Sequence, residues 1–119
     1  MTPEQRMNAQ VITVTHRMTV AHLANINRLN GKLAGDLAEH AKKFKLKTAI
    51  HPSQVPKLKE HERIIGLMQA HRENIISKHK EELESADTDY KHDLKALAHA
   101  HETKNAETIE TAYKKWKDR

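Results

Sequence analysis

Apolar residues recur every three or four positions along most of this chain, in two long stretches. That spacing matches the turn of an α-helix and gathers the apolar side chains on one face. The first stretch predicts helix 1 over residues 3 to about 46. Its predicted buried stripe consists of Met7, Val11, Val14, Met18, Ile26, Leu29, Leu33, Leu37 and Phe44.

A segment with two prolines separates the two stretches. Pro52 and Pro56 disfavour helix at the residues before them, so residues 47 to about 55 are predicted to be a turn. The second stretch predicts helix 2 over residues 56 to about 117, and the whole chain, 1–119, is expected to be a single helical domain. The inner stripe of helix 2 is predicted to hold Leu58, Ile65, Met68, Ile75, His79, Leu83, Ala86, Tyr90, Leu94, Leu97, Ile109, Ala112, Tyr113 and Trp116.

The predicted second helix is much longer than the first. Unbroken, it would extend for roughly 95 Å at 1.5 Å per residue, so helix 1 cannot cover all of it. A break near residues 85–89 would give a three-helix antiparallel bundle, whereas a continuous helix would give a long-helix hairpin whose overhang pairs with another copy. The stripe also weakens between His101 and Asn105, where fraying or a bend is expected. The fold class is therefore all-α with coiled-coil-like packing, and a homo-oligomer, with a dimer favoured, is expected.

Residues near the start and the middle of helix 1 carry helix-terminating signals. Thr2 can cap the first turn, Pro3 suits the first helical position, and Gln5 stands where a capping box returns its side chain. Asn30 and Gly31 can end a helix. Helix 1 is therefore predicted to begin at Pro3, and an interruption near residues 30–36 is left open.

Composition excludes several classes of protein. The chain has no cysteine, which rules out disulfides and thiolate metal sites and fits a reducing compartment. No stretch approaches the ~18 apolar residues that a membrane-spanning helix needs, and residues 1–10 do not resemble a secretion signal. We therefore expect a cytoplasmic protein with no membrane partner.

Ten histidines raise the question of a metal site. No two of them are four residues apart, and His-Glu-x-x-His is absent. Most are expected to be interfacial or solvated, with His22 and His79 best placed for partial burial. The three serines lie in ordinary cap or helix contexts without a nucleophile elbow. We therefore expect no metal, no cofactor, no catalytic residue and no enzymatic activity.

Positive charge is concentrated around the predicted turn. The chain has a formal net charge of +5, and residues 42–63, with seven basic and two acidic residues, account for an excess of five. Such a cluster favours phosphate backbones or acidic partners through counterion release. Because Phe44 is the only aromatic residue among these lysines, any nucleic-acid binding is expected to be weakly sequence-specific. The candidate residues are Lys42, Lys43, Lys45, Lys47, Lys57, Lys59 and Arg63.

The surface of helix 1 is unusual because Arg17 and Arg28 are the only formal charges between residues 7 and 30. Asparagine and threonine are mediocre helix formers, so their abundance there favours a crowded interface over a solvated face. The leading function is a non-enzymatic protein-interaction module, such as an inhibitor, adaptor or assembly factor, that acts as an oligomer on another protein or a nucleoprotein complex. The alternatives are a nucleic-acid-binding accessory protein that uses the lysine cluster and a helical scaffolding protein. The predicted interface comprises Met7, Val11, Ile12, Val14, Thr15, Met18, Thr19, Leu23, Ile26 and Asn27.

Overall fold

The computed structural model describes residues 1–48 and 58–118, with side chains described up to residue 44 and from residue 59. These residues form α1 (Pro3–Thr48), α2 (Leu58–Glu102) and α3 (Ala106–Trp116), and they contain no strand. The all-α fold class is therefore confirmed. Among the described residues, no helix is long and apolar enough to cross a membrane. The oligomeric state and the coiled-coil packing stay predictions, as does the single domain.

The contacts of the chain group its residues into two units, and α1 and α2 contribute to both. Unit 1 consists of Met1–Asn27 and Glu84–Arg119, and unit 2 consists of Arg28–Leu83. Unit 1 is a three-helix arrangement, because it includes α3 as well as parts of α1 and α2. Its buried core comprises Met7, Val14, Met18, Leu97, Ala100 and Ile109.

Polar contacts at the margin of this core show how the helices of unit 1 run. Asn8 pairs with His101 at 2.7 Å, and the Thr19 and Tyr90 hydroxyls lie 2.8 Å apart. Residues later in α1 thus contact residues earlier in α2, so the two segments are antiparallel. Glu110 of α3 accepts a hydrogen bond from the half-buried end of Gln10. This bond links α3 to α1 and satisfies a polar side chain that would otherwise be costly to bury.

Unit 2 is an antiparallel pair formed by the rest of α1 and the first part of α2. Lys32 forms a 3.3 Å ion pair with Glu82, and His40 lies beside His71. Leu29, His40 and Phe44 are its buried residues on α1. The helix α1 runs unbroken through residues 30–36, where a side chain added at Gly31 or Gly35 would meet no atom within 4 Å. The interruption considered there is therefore absent.

The predicted start of α1 is confirmed. The Thr2 hydroxyl accepts a 3.1 Å hydrogen bond from the Gln5 backbone N–H, and the Gln5 side chain accepts one of 3.0 Å from the Thr2 backbone N–H. This reciprocal capping box satisfies two backbone donors that have no partner within the helix.

The break in the second predicted helix is not at residues 85–89 but at residues 103–105. Through 85–89 the helix α2 is continuous, because Ala86 and Tyr90 keep the inner stripe in register and Lys91 forms a 2.8 Å ion pair with Asp87 one turn away. The side-chain hydrogen bond with Asp87 also raises the pKa of Lys91. Only the bend expected between His101 and Asn105 is confirmed.

A Schellman motif produces this break. The Asn105 N–H bonds to the Ala100 carbonyl at 2.8 Å, and the Lys104 N–H bonds to the His101 carbonyl at 3.1 Å. Lys104 stands at the left-handed position with φ of 54°, where glycine is the usual residue. The Asn105 side chain then accepts a 3.2 Å bond from the Thr108 N–H and starts α3. Asn105 therefore serves both the motif that ends α2 and the cap of α3.

Replacing Lys104 by glycine is expected to stabilise the chain by roughly 1 kcal/mol, because the left-handed conformation costs a residue with a Cβ about that much. Urea unfolding followed by circular dichroism measures the change. Lys104→Ala is the matched control, since it removes the same side chain but keeps the Cβ, and it should give no comparable gain. Equal effects of the two substitutions would contradict the assignment of strain to this position.

Candidate functional site

The most distinctive surface of unit 1 is a row of exposed residues on α1 that faces away from the core. Three of its members are large apolar side chains: Ile12 is 70% exposed, Val20 50% and Leu23 57%. His16 and Asn27 complete the row and are also exposed. We call Ile12, His16, Val20, Leu23 and Asn27 the outer face of α1. Spaced by three and four, they share one side of the helix.

The outer face exists because α1 carries apolar residues on two opposite sides. Val14 is fully buried, whereas Ile12, two positions earlier, lies about 200° around the helix axis and points outward. Single exposed apolar residues are ordinary, but three on one face within twelve positions make a patch. No Lys, Arg, Asp or Glu belongs to the outer face. It is therefore unlike a solvated helix surface, which is usually charged.

The structure divides the predicted protein interface into three groups. Met7, Val14 and Met18 lie in the core of unit 1, and Val11 packs against it. Their burial confirms this part of the predicted stripe and shows that the chain itself covers these side chains, while the protein interface stays a prediction. Thr19 and Ile26 are half-buried, and Thr19 is hydrogen-bonded to Tyr90. Ile12, Thr15, Leu23 and Asn27 stay exposed.

Two members of the outer face, His16 and Val20, were not among the predicted interface residues. The signal was present in the sequence, because Ile12, Val20 and Leu23 form a second, shorter apolar stripe beside the first.

The lysine cluster is described only in part. Lys42, Lys43 and Lys59 are exposed, and Arg63 is exposed but paired with Glu60 at 3.0 Å. Lys57 and the side chains of Lys45 and Lys47 lie outside the described residues. The pairing of Arg63 reduces the net positive charge that this part of the cluster offers to an anionic partner.

Histidines pair with aromatic rings in both units. In unit 1, His22 stacks on Tyr90 with ring centroids 4.1 Å apart. In unit 2, the Nδ1 atoms of His40 and His71 lie 2.7 Å apart, and Phe44 is 4.9 Å from the His40 ring. The partial burial predicted for His22 and His79 is confirmed, but His40, at 6% exposure, is buried more deeply than expected.

An open cavity of about 720 Å³ borders the His40 and His71 pair in unit 2. Leu29, Leu33 and Ile75 give it apolar walls, and charged side chains of both signs form its rim. Within the described part of the chain, no three ligand-type side chains converge on a point that would hold a metal ion. The absence of a metal site stays a prediction.

The sequence matches no protein-family model, and it shows no significant similarity to curated proteins or to solved structures. Function is therefore argued from the surface of the chain itself.

Proposed function

We propose that the protein is a non-enzymatic helical interaction module that works in the cytoplasm as a homodimer joined through the outer face of α1. The observation that supports this most is the exposure of Ile12, Val20 and Leu23 on one uncharged face. Removing such side chains from water is favourable by roughly 25 cal/mol per Å² of apolar surface. A partner that covers the outer face therefore gains free energy at no cost in buried charge.

A second copy of the chain suits this face because of its lack of charge. Two identical charged surfaces repel each other, whereas two copies of the outer face can meet without that penalty. In a twofold arrangement the same patch is used on both chains. If the two α1 helices cross antiparallel, Ile12 of each copy lies against Leu23 of the other, with His16 and Val20 near the axis.

The size of the outer face sets the strength that we expect. The helix segment that carries it is about 24 Å long and ~10 Å wide, so its footprint is roughly 240 Å². Standard stable interfaces bury ~800 Å² on each partner. We therefore expect a dimer in the micromolar range of dissociation constants, which suits a module that exchanges partners.

Sedimentation velocity over a range of protein concentrations tests this proposal. Wild type is expected to shift from one chain to two, and Leu23→Glu is expected to weaken association by at least ~100-fold, because each dimer loses two buried leucines and gains two carboxylates, each covered by an apolar side chain of the other copy. Ala96→Glu, an equal charge change at an exposed position of α2, is the matched control and should associate like wild type. A monomer at every concentration would overturn the proposal.

The alternative function, nucleic-acid binding through the lysine cluster, is favoured by the exposure of Lys42, Lys43 and Lys59. The same sedimentation experiment separates it when a generic DNA duplex is added. If the protein does not bind the duplex, the interaction module is supported. If it forms a complex that dissociates at higher salt concentration, the lysine cluster is a nucleic-acid-binding site.

A further inference from the structure

The contact between His40 and His71 joins the two helices of unit 2 and has no role in the proposed dimer. Their Nδ1 atoms lie 2.7 Å apart, and the rings stack with centroids 5.0 Å apart. His40 is buried, and Phe44 packs against both rings. The contact is thus a hydrogen bond between two imidazoles at the margin of an apolar environment.

Such a bond tolerates only some protonation states. One Nδ1 must carry a hydrogen and donate, and the other must offer a lone pair and accept. The accepting ring is therefore neutral, while the donating ring is either neutral or singly charged. When both rings are charged, both Nδ1 atoms carry hydrogens, so the bond is lost and two positive charges face each other.

The surroundings of His40 disfavour its charged form. Burial lowers the pKa of His40, and the positive charges of His71, Arg72 and Lys43 lower it further. Other titratable or charged groups line the cavity beside the pair. They are Lys32, Asp36, Glu39 and Lys42 on α1, and Lys78, His79 and Glu82 on α2.

We propose that the His40 and His71 bridge is an acid-sensitive clasp that holds the two helices of unit 2 together near neutral pH and releases them on acidification. The direction of the pH dependence follows from the coupling between proton binding and folding. Because the pKa of His40 is lower in the folded chain than in the unfolded chain, the unfolded chain takes up the proton first as the pH falls. The stabilisation is complete above about pH 6.5, the ordinary histidine value, and is lost progressively below it.

Spin-label distance measurements test the clasp in the full-length chain. The chain has no cysteine, so Ala38→Cys and Ala70→Cys place two labels at exposed positions of unit 2, one on each helix. A single narrow distance is expected at pH 8. On lowering the pH to about 5, where most carboxylates stay ionised, a longer and broader distribution should replace it, with a midpoint below about pH 6.5.

Two variants in the labelled background decide whether the pair is responsible. His40→Leu with His71→Leu replaces the bridge by an apolar contact beside Phe44 and should keep the narrow distance at both pH values. His79→Gln removes another histidine of the same cavity and should respond like wild type. A wild-type distance that does not change with pH, or a response that persists in the double variant, would overturn the clasp. If the double variant fails to fold, His71→Gln, which cannot become charged, serves the same purpose.

A label pair in unit 1 shows whether the response is local. Ala24→Cys and Ser85→Cys occupy exposed positions of that unit. Their distance should stay constant between pH 8 and about pH 5, while the unit 2 distance changes. An equal change in both units would mean general acid unfolding and would overturn a specific clasp. Diluting the labelled protein with an excess of unlabelled protein removes distances between copies, so the clasp and the proposed dimer can fail independently.

Discussion

Replacing Ile109 by alanine is expected to destabilise the chain by about 3 kcal/mol, because deleting three buried carbons removes apolar burial and leaves a cavity. Ile109 has no exposed surface and anchors α3 in the core of unit 1. The helix α3 has only 11 residues, and isolated helices of that length are marginal in water. Urea unfolding followed by circular dichroism measures the loss, and amide exchange should show α3 opening first.

Thr111→Ala is the control for this prediction. Thr111 is exposed on the same helix, so the substitution should change stability by no more than about 0.5 kcal/mol. Ile109→Val, which removes one methylene group, should lie between the two at about 1 kcal/mol. If Ile109→Ala lowers the free energy of unfolding by less than about 1 kcal/mol, α3 does not depend on the packing of Ile109.

Periodicity and capping chemistry predicted most of the fold. Both signals are local, since they depend on residues within one turn of each other. The start of α1 at Pro3 followed from Thr2 and Gln5, and the end of α3 at Trp116 lies within one residue of the predicted boundary. Local signals therefore predicted the first and the last helix boundary without any knowledge of packing.

The position of the break was harder to predict. Residues 85–89 contain cap-forming side chains, but there they lie on the surface of a continuous helix whose inner stripe stays in register. At the true break, Lys104 occupies a position where sequence rules expect glycine, so the strongest signal for a helix end is missing. Packing of Ile109 against the core compensates for that local strain.

The candidate sites depend on which apolar side chains stay exposed, and the sequence supplied this only in part. On α1 the predicted interface combined residues of the buried stripe, such as Val14, with Ile12, which the structure leaves exposed. The pairing of His40 with His71 depends on the register between two helices, and these residues are 31 positions apart. The spacing of residues within one helix does not predict the register between α1 and α2.

Glutamate substitutions at Val14 and at Ile12, which lie on opposite sides of α1, are expected to have opposite effects on stability and on self-association. Val14→Glu places a charge without a partner in the core of unit 1 and should cost at least ~3 kcal/mol, enough to unfold much of that unit. Ile12→Glu alters a side chain that is 70% exposed, and glutamate is the better helix former, so stability should change by no more than about 0.5 kcal/mol. Under the proposed function, Ile12→Glu should instead weaken self-association by at least ~10-fold, since the isoleucine would be buried between two copies.

Circular dichroism melting and sedimentation velocity on the two variants measure both effects, and each variant is the control of the other because the charge change is identical. Val14→Glu that folds like wild type would mean that the Val14 side of α1 is not the core. Ile12→Glu that unfolds would mean that the outer face supports the fold of a single chain. A folded Ile12→Glu protein that associates as tightly as wild type would leave the core intact but would remove Ile12 from the dimer interface. The two residues are two positions apart, so their divergence depends only on the rotation of about 200° that the helix imposes between them.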